Sequence, residues 1–187
     1  MKENRSAAVP YMNVRTLALA AMFVAMSIVL GKLLSVTAGP FRISFENLPL
    51  LMAGIFLGPA AGCITGIVAD VVGCLIVGYA INPIITLGAA CIGLIAGLLY
   101  RVMPDQPLNR LPEHSFRVFV SVLPAHIVGS MFIKSVGLMV YYHYTLLQVA
   151  LRIPLYMVIG TAEALIISAL LSNTAFAVQI GRLGRHE

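Results

Sequence analysis

The sequence predicts an all-α integral membrane protein: a six-transmembrane-helix bundle with a short second helix and with its N- and C-termini cytoplasmic. Three observations predict it. Of the 187 residues, 60% are hydrophobic and only 10% are charged; a soluble domain carries about a quarter charged residues, so too few remain here to cover a water-facing surface. The long uncharged runs are interrupted by Gly58-Pro59 and Asn82-Pro83, and such pairs end helices because proline cannot continue one. Clusters of arginine fall at the ends of some of those runs, where positive residues mark the cytoplasmic side. A crossing needs roughly 20 apolar residues, so six crossings use nearly the whole chain. Residues 1–187 are therefore expected to form a single transmembrane domain with no room for a separate soluble one.

Helix 1 is the uncharged run from Thr16 to Gly31, preceded by Lys2, Arg5 and Arg15. A basic start, an apolar run and small residues around Ala38 also resemble a signal peptide. Further spanning segments follow at once, which favours a retained helix with Lys32 snorkelling to the far interface. Residues 37–47, TAGPFRISFEN, form a connector: Gly39-Pro40 predicts a turn, and the alternation of Phe41, Ile43 and Phe45 predicts a short extended piece, the expected non-helical lid. From Leu48 to Tyr100 only Asp70 is charged, and the two Gly-Pro and Asn-Pro breaks divide this stretch into helices near 48–57, 60–78 and 84–100. The first is half a span and must pack against protein, since unsatisfied backbone cannot face lipid. Arg101, Arg110 and Arg117 then flank a loop with Pro104, Pro107 and Pro112, and Arg182 and Arg185 close the chain. If these clusters and the basic N-terminus are all cytoplasmic, an even number of crossings separates them; three helices within 48–100 satisfy this and two do not. Helices near 117–140 and 148–178 complete the six, with Tyr141, Tyr142 and Tyr144 between them suited to an outer interface.

Several function classes drop out. The formal charge of +5 does not form a basic stripe with interleaved aromatics, so no nucleic acid is expected. Cys63, Cys74 and Cys91 are odd in number, sit in apolar stretches and lack metal-type spacing; they read as buried small hydrophobes, and no metal or cofactor is expected. His126, alone on an apolar stretch, reads as a satisfied packing residue. No G-x-x-x-x-G-K-[ST] loop occurs, so the chain is not expected to hydrolyse ATP, and neither H-E-x-x-H nor G-x-S-x-G is present. Gly54, Gly58, Gly62 and Gly66 recur every four residues, with Ala69 and Gly73 beyond and Gly93 and Gly97 on the next helix. That spacing puts small residues on one face for close packing within a bundle, with Pro59 interrupting the first series. Ala21 and Ala25 form another such pair, open to internal packing or to contact with another subunit.

The charges inside the apolar segments carry the functional reading. Lys32, Asp70, Lys134 and Glu163 lie within them, and Arg42, Glu46 and Arg152 lie near the predicted outer ends. An ionisable group near the bilayer centre costs roughly 2.5 to 3.5 kcal/mol on insertion scales, so each needs a partner, a wet cavity or the interface. Two arrangements satisfy them: an outward-facing pocket shared by several, or internal pairs such as Asp70 with Lys134 and Glu163 with Arg152. Basic groups on the outer side run against simple topology rules and point to an anionic solute. Phe41, Phe45, Tyr79 and Tyr156 could stack on a flat ring, and Asn47 and Asn82 offer paired donors and acceptors.

The AAMFVAM helix, the segment RISFENLPLLMAGIFLGPAAGCITGIVADVVGCL and the following GYAINPIITLGAACIGLIAGLLYR resemble the substrate-binding S component of energy-coupling factor vitamin importers, and within them the folate family. The specific part is the F-x-x-L-P to D-x-x-G region from Phe45 to Gly73. The resemblance implies a multi-pass subunit of the cell membrane that captures a vitamin from outside. It also implies partners, a transmembrane coupling subunit and two ATPase subunits, and it maps the family's A-x-x-x-A docking motif onto Ala21 and Ala25. A folate-like vitamin also suits the chemistry above: Arg42, Lys134 and Arg152 are the candidates for its anionic end, and Phe45, Tyr79, Asn82 and Asp70 for its ring. The alternatives are an S component for a different vitamin or a queuosine-type precursor, a membrane-embedded enzyme using Asp70 or Glu163, and a structural or assembly subunit.

Overall fold

The structure, a computed structural model, describes residues 14–38, 41–103 and 113–173. Lys2, Arg5, Arg110, Arg182, Arg185, the Gly39-Pro40 turn, the prolines at 104, 107 and 112, the Phe41 side chain and the expected end of the last helix beyond 173 lie outside the described part.

Helix α1 spans Val14–Leu33 and closes with a wide π turn over Val29–Leu33. The connector forms a hairpin of β1, Val36–Ala38, and β2, Phe41–Ile43, antiparallel with Val36 opposite Ile43. Then come α2 (Asn47–Leu57), α3 (Pro59–Val77) and α4 (Pro83–Val102). Helix α5 is one rod built from Glu113–Ala125, a π stretch His126–Ile133 and Lys134–Tyr142; α6 is Leu146–Ser172. Most expected boundaries hold because the expected residues set them, whereas the last helix, expected near 148–178, ends at Ser172. Gly58, at φ 103°, lets the chain leave α2 and re-enter helix with Pro59 in the first turn of α3. The Asn82 side chain accepts hydrogen bonds from the Ile84 and Ile85 amides and caps α4, and Thr145 with Gln148 forms a capping box on α6.

Five of these helices are long and apolar enough to cross a membrane, which makes the chain a multi-pass membrane protein. Helix α2 has 11 residues, about 16 Å of rise, and cannot cross alone. It is enclosed instead: Pro49 through Ile55 are all buried, and Leu51 belongs to one hydrophobic core cluster with Ile92 of α4, Val118 and Val122 of α5 and Ile167 of α6. The glycine series makes that enclosure possible. A methyl group on Gly62 would come 2.6 Å from the Gly54 Cα and 2.7 Å from the Gly93 carbonyl oxygen, and one on Gly97 would come 2.8 Å from the Pro59 Cα. The backbones of α2, α3 and α4 therefore touch where only hydrogen fits, which is the packing use expected of the four-residue spacing.

The connectivity gives the bundle two unlike ends. The hairpin, the 78–82 connection and the 143–145 connection share one end with the start of α2, while Arg15, Arg101 and Arg117 lie at the other. Arg117 stacks on Tyr100, 4.1 Å from the ring centroid, and donates to the Tyr100 carbonyl at 2.6 Å, tying α5 to the end of α4.

Candidate functional site

The hairpin end opens into a cavity of about 300 Å³, within the range of small-molecule sites. Every helix except α2 contributes a lining residue, because the helices start or stop at that end. Lys32 comes from the end of α1, Arg42, Ser44 and Glu46 from the hairpin and the approach to α2, and Asp70 and Cys74 from α3. The 78–82 connection supplies Tyr79 and Asn82; α5 and the connection after it supply Lys134, Tyr142 and Tyr144; α6 supplies Arg152 and Tyr156.

Six of the seven ligand candidates from sequence thus line one space: Arg42, Asp70, Tyr79, Asn82, Lys134 and Arg152. Phe45 is half-buried and is not among the lining side chains, because β2 ends at Ile43 and the alternation does not carry through to it. Lys32, Glu46 and Tyr156, which are not among the ligand candidates from sequence, also line the cavity, as do Tyr142 and Tyr144, expected at an outer interface. The charges gathered near the predicted outer ends are the signal in the sequence for Lys32 and Glu46.

The polar groups divide into engaged and open. Lys134, only 7% exposed, donates to Glu46 Oε1 at 2.9 Å and to Asn47 Oδ1 at 3.0 Å. Burial of Glu46 would raise its pKa, but the charge and hydrogen bond of Lys134, then Lys32 and Arg42, outweigh it and pull the carboxyl down to about 2. Asp70 accepts from the Thr86 hydroxyl at 2.6 Å. Asn82 caps α4 and donates to the Gly137 carbonyl at 3.2 Å, clasping α4 to α5. Glu163 pairs with His126 at 2.6 Å, away from the cavity wall. The internal pairs weighed from sequence, Asp70 with Lys134 and Glu163 with Arg152, are therefore replaced by Glu46–Lys134 and His126–Glu163.

The two guanidinium groups keep open donors. Arg42 donates to the Gly31 carbonyl, and its buried Nε has no partner among the described residues. Arg152 lies over the Tyr156 ring, 5.0 Å from its centroid, and donates to the Tyr156 hydroxyl at 3.1 Å; its second terminal nitrogen is buried and has no partner among the described residues. Lys32 sits 5.7 Å from the Tyr79 ring centroid. Unfilled charged donors beside aromatic faces suit an anion carried on a flat ring, since a guanidinium binds carboxylates through paired N–H groups.

On the outside of the bundle, α1 buries Ala20, Phe23 and Ser27 and leaves Ala21 and Ala25 exposed, with Leu17 and Met22 beside them. The small-residue pair therefore faces away from the bundle's own core.

A multi-pass helical protein with a solute-sized, charged cavity at one end is the class that fold and site define. Residues 15–183 match the family described as ECF transporter, substrate-specific component, and the chain belongs to that family. Among solved structures its fold is similar to that of FolT bound with folic acid, with TM-score 0.66 and 23% identity over 86% of this chain and 94% of that one. It is also similar to the S-component for biotin from an ECF-type ABC transporter, with TM-score 0.64 and 22% identity over 88% and 95%. The S component of a bacterial ECF transporter follows at TM-score 0.61 and 18% identity over 92% and 96%. No curated protein sequence matches the chain.

Proposed function

We propose that this chain captures folate or a related vitamin from the outer side of the cell membrane and delivers it through an ATP-driven complex. The observation that carries the reading is the charge of the cavity wall: Lys32, Arg42, Lys134 and Arg152 against Glu46 and Asp70. Glu46 neutralises Lys134, so a net positive charge remains for a ligand with carboxylates. Tyr79, Tyr142, Tyr144 and Tyr156 supply faces for a flat ring. Similarity to folate-bound FolT at TM-score 0.66 supports the same choice. The cavity faces outward and the termini are cytoplasmic, a reading supported by Arg15, Arg101 and Arg117 at the opposite end.

The chain has no phosphate loop of its own, in keeping with partners that supply ATP hydrolysis: a transmembrane coupling subunit and two ATPases. Ala21 and Ala25 form the docking face for the coupling subunit, small enough for two helices to approach closely. Asp70 and Glu163 are held by Thr86 and His126, which favours binding over catalysis.

Direct titration tests the substrate. Purified chain in nanodiscs is expected to bind folic acid saturably and to leave biotin unbound. A second vitamin remains a specific rival because the biotin S-component matches almost as well, at TM-score 0.64. Saturable biotin binding without folic acid binding would move the substrate and leave the class.

A further inference from the structure

Below the cavity, His126 of α5 and Glu163 of α6 form a pair that the capture reading does not use. Both side chains are fully buried, and His126 Nε2 lies 2.6 Å from Glu163 Oε2. The pair reaches the cavity through a short chain of contacts. The His126 ring packs on α6 at Gly160, where a Cβ would lie 3.1 Å from its Cδ2. It also meets the Tyr156 ring at 6.5 Å between centroids, and Tyr156 accepts from Arg152. Arg152, Tyr156, Gly160 and Glu163 fall at helical spacing on one face of α6. The π stretch His126–Ile133 widens α5 where His126 faces this stripe, and such turns recur at functional sites.

A merely structural pair would fill its hydrogen-bond positions. Here His126 Nδ1 and Glu163 Oε1 are both buried and without a partner among the described residues, so none of these neighbours fixes the pair in one protonation state. With one exchangeable proton the pair is neutral overall; without it the interior carries one net negative charge. The charges that Glu163 feels besides His126 are those of Lys134 on α5 and Glu46 at the head of α2. Arg152 and Tyr156 are the charged and titratable groups towards the cavity. Arg117 is engaged at the far end of α5, and α4 carries only Cys91, Tyr100 and Arg101 as titratable groups.

We propose that His126 and Glu163 are positioning residues for Tyr156 and Arg152, and that the pair takes up one proton from solution when an anion fills the cavity. This rests on the cavity being an anion site. The sign follows from Coulomb's law: the deprotonated pair places a negative charge beneath the ligand and opposes it, so affinity falls as pH rises.

Two measurements on the full chain in nanodiscs test the proposal. In the first, without ligand, the ¹³C-tyrosine signal of Tyr156, identified by its loss in Tyr156→Phe, is followed from about pH 6 to about pH 8. It is expected to move with pH in the wild type and to stay still in Glu163→Gln and His126→Gln, two variants so that misfolding of one leaves the other. A signal that does not move in the wild type, or that moves alike in all three, overturns the proposal. In the second, the Kd for folic acid is expected to rise by up to about tenfold per pH unit in the wild type and to be flat in the variants. A wild-type pH profile in Glu163→Gln also overturns it. If folic acid binds at no pH, the substrate reading falls, and the Tyr156 titration alone decides between a proton-linked pair and an inert one.

Discussion

Replacing Glu46 with Gln keeps the shape of the side chain and removes its charge, which isolates the Glu46–Lys134 bridge. The bridge spans 2.9 Å, with Lys134 7% and Glu46 25% exposed. Burial works against the carboxylate, but Lys134 and the smaller effects of Lys32 and Arg42 lower its pKa from 4.5 to about 2. That difference corresponds to about 3 kcal/mol favouring the ionised, folded form. Because the folded value lies below the unfolded one, the contribution is complete above about pH 4.5 and is lost as pH falls towards about 2. Glu46→Gln removes it at neutral pH and leaves the buried Lys134 ammonium with neutral acceptors in place of its paired carboxylate, the situation in which breaking an ion pair is most destabilising. Thermal unfolding at pH 7 is expected to shift down by roughly 5–10 °C, and the gap between wild type and variant is expected to narrow below about pH 4.5. A variant that melts within about 1 °C of the wild type at pH 7 would refute a structural role for the bridge. Tighter folic acid binding in the same variant would assign Lys134 to the ligand, with Glu46 as its resting counter-ion.

Arg152→Ala is expected to weaken folic acid binding roughly 10- to 100-fold, the loss of a charge-assisted hydrogen bond, and calorimetry showing unchanged affinity would remove Arg152 from the site. Ala21→Trp and Ala25→Trp are expected to leave folic acid affinity intact and to abolish uptake by the assembled complex; loss of binding in the isolated subunit would instead make the pair part of the bundle's own packing. Asn82→Ala removes the α4 cap and is expected to cost about 1 kcal/mol, read as a fall of roughly 2–4 °C in the unfolding midpoint. Gly93→Ala places a methyl group 2.9 Å from the Gly62 Cα and is expected to destabilise by about 1–3 kcal/mol; an unchanged midpoint would mean that α3 and α4 can part without cost.

The helices were legible because each boundary is written in residues whose local chemistry admits few alternatives. Gly58-Pro59 and Asn82-Pro83 end helices in almost any surrounding, and the parity of the arginine clusters decided between two helices and three. The gathering of charges was legible for a similar reason: lipid offers them no partner, so they had to meet each other or water. Which charges pair was not legible. Lys134 finds Glu46 and not Asp70, and Glu163 finds His126 and not Arg152, because the choice depends on how the helices are rotated against one another. Packing sets that rotation, and hydropathy carries no record of it. Tyr142 and Tyr144 were ambiguous in a different way, since an amphipathic ring suits a membrane interface and a ligand cavity equally.

The short second helix connects these two levels. Its glycine-lined contact with α3 and α4 near Gly54 and its polar head at Asn47 belong to one element of 11 residues, with Glu46 at its N-cap. Had α2 been long enough to cross the bilayer, its head would have reached the interface, where water satisfies a carboxylate and no buried lysine is needed. Being half a span, it ends inside the bundle, and Glu46 and Asn47 become the floor on which Lys134 is held. The close backbone packing at one end of α2 therefore determines the electrostatics at the other. The small residues that look like mere packing in the sequence set the depth of the cavity, and hence which cations remain open to a ligand.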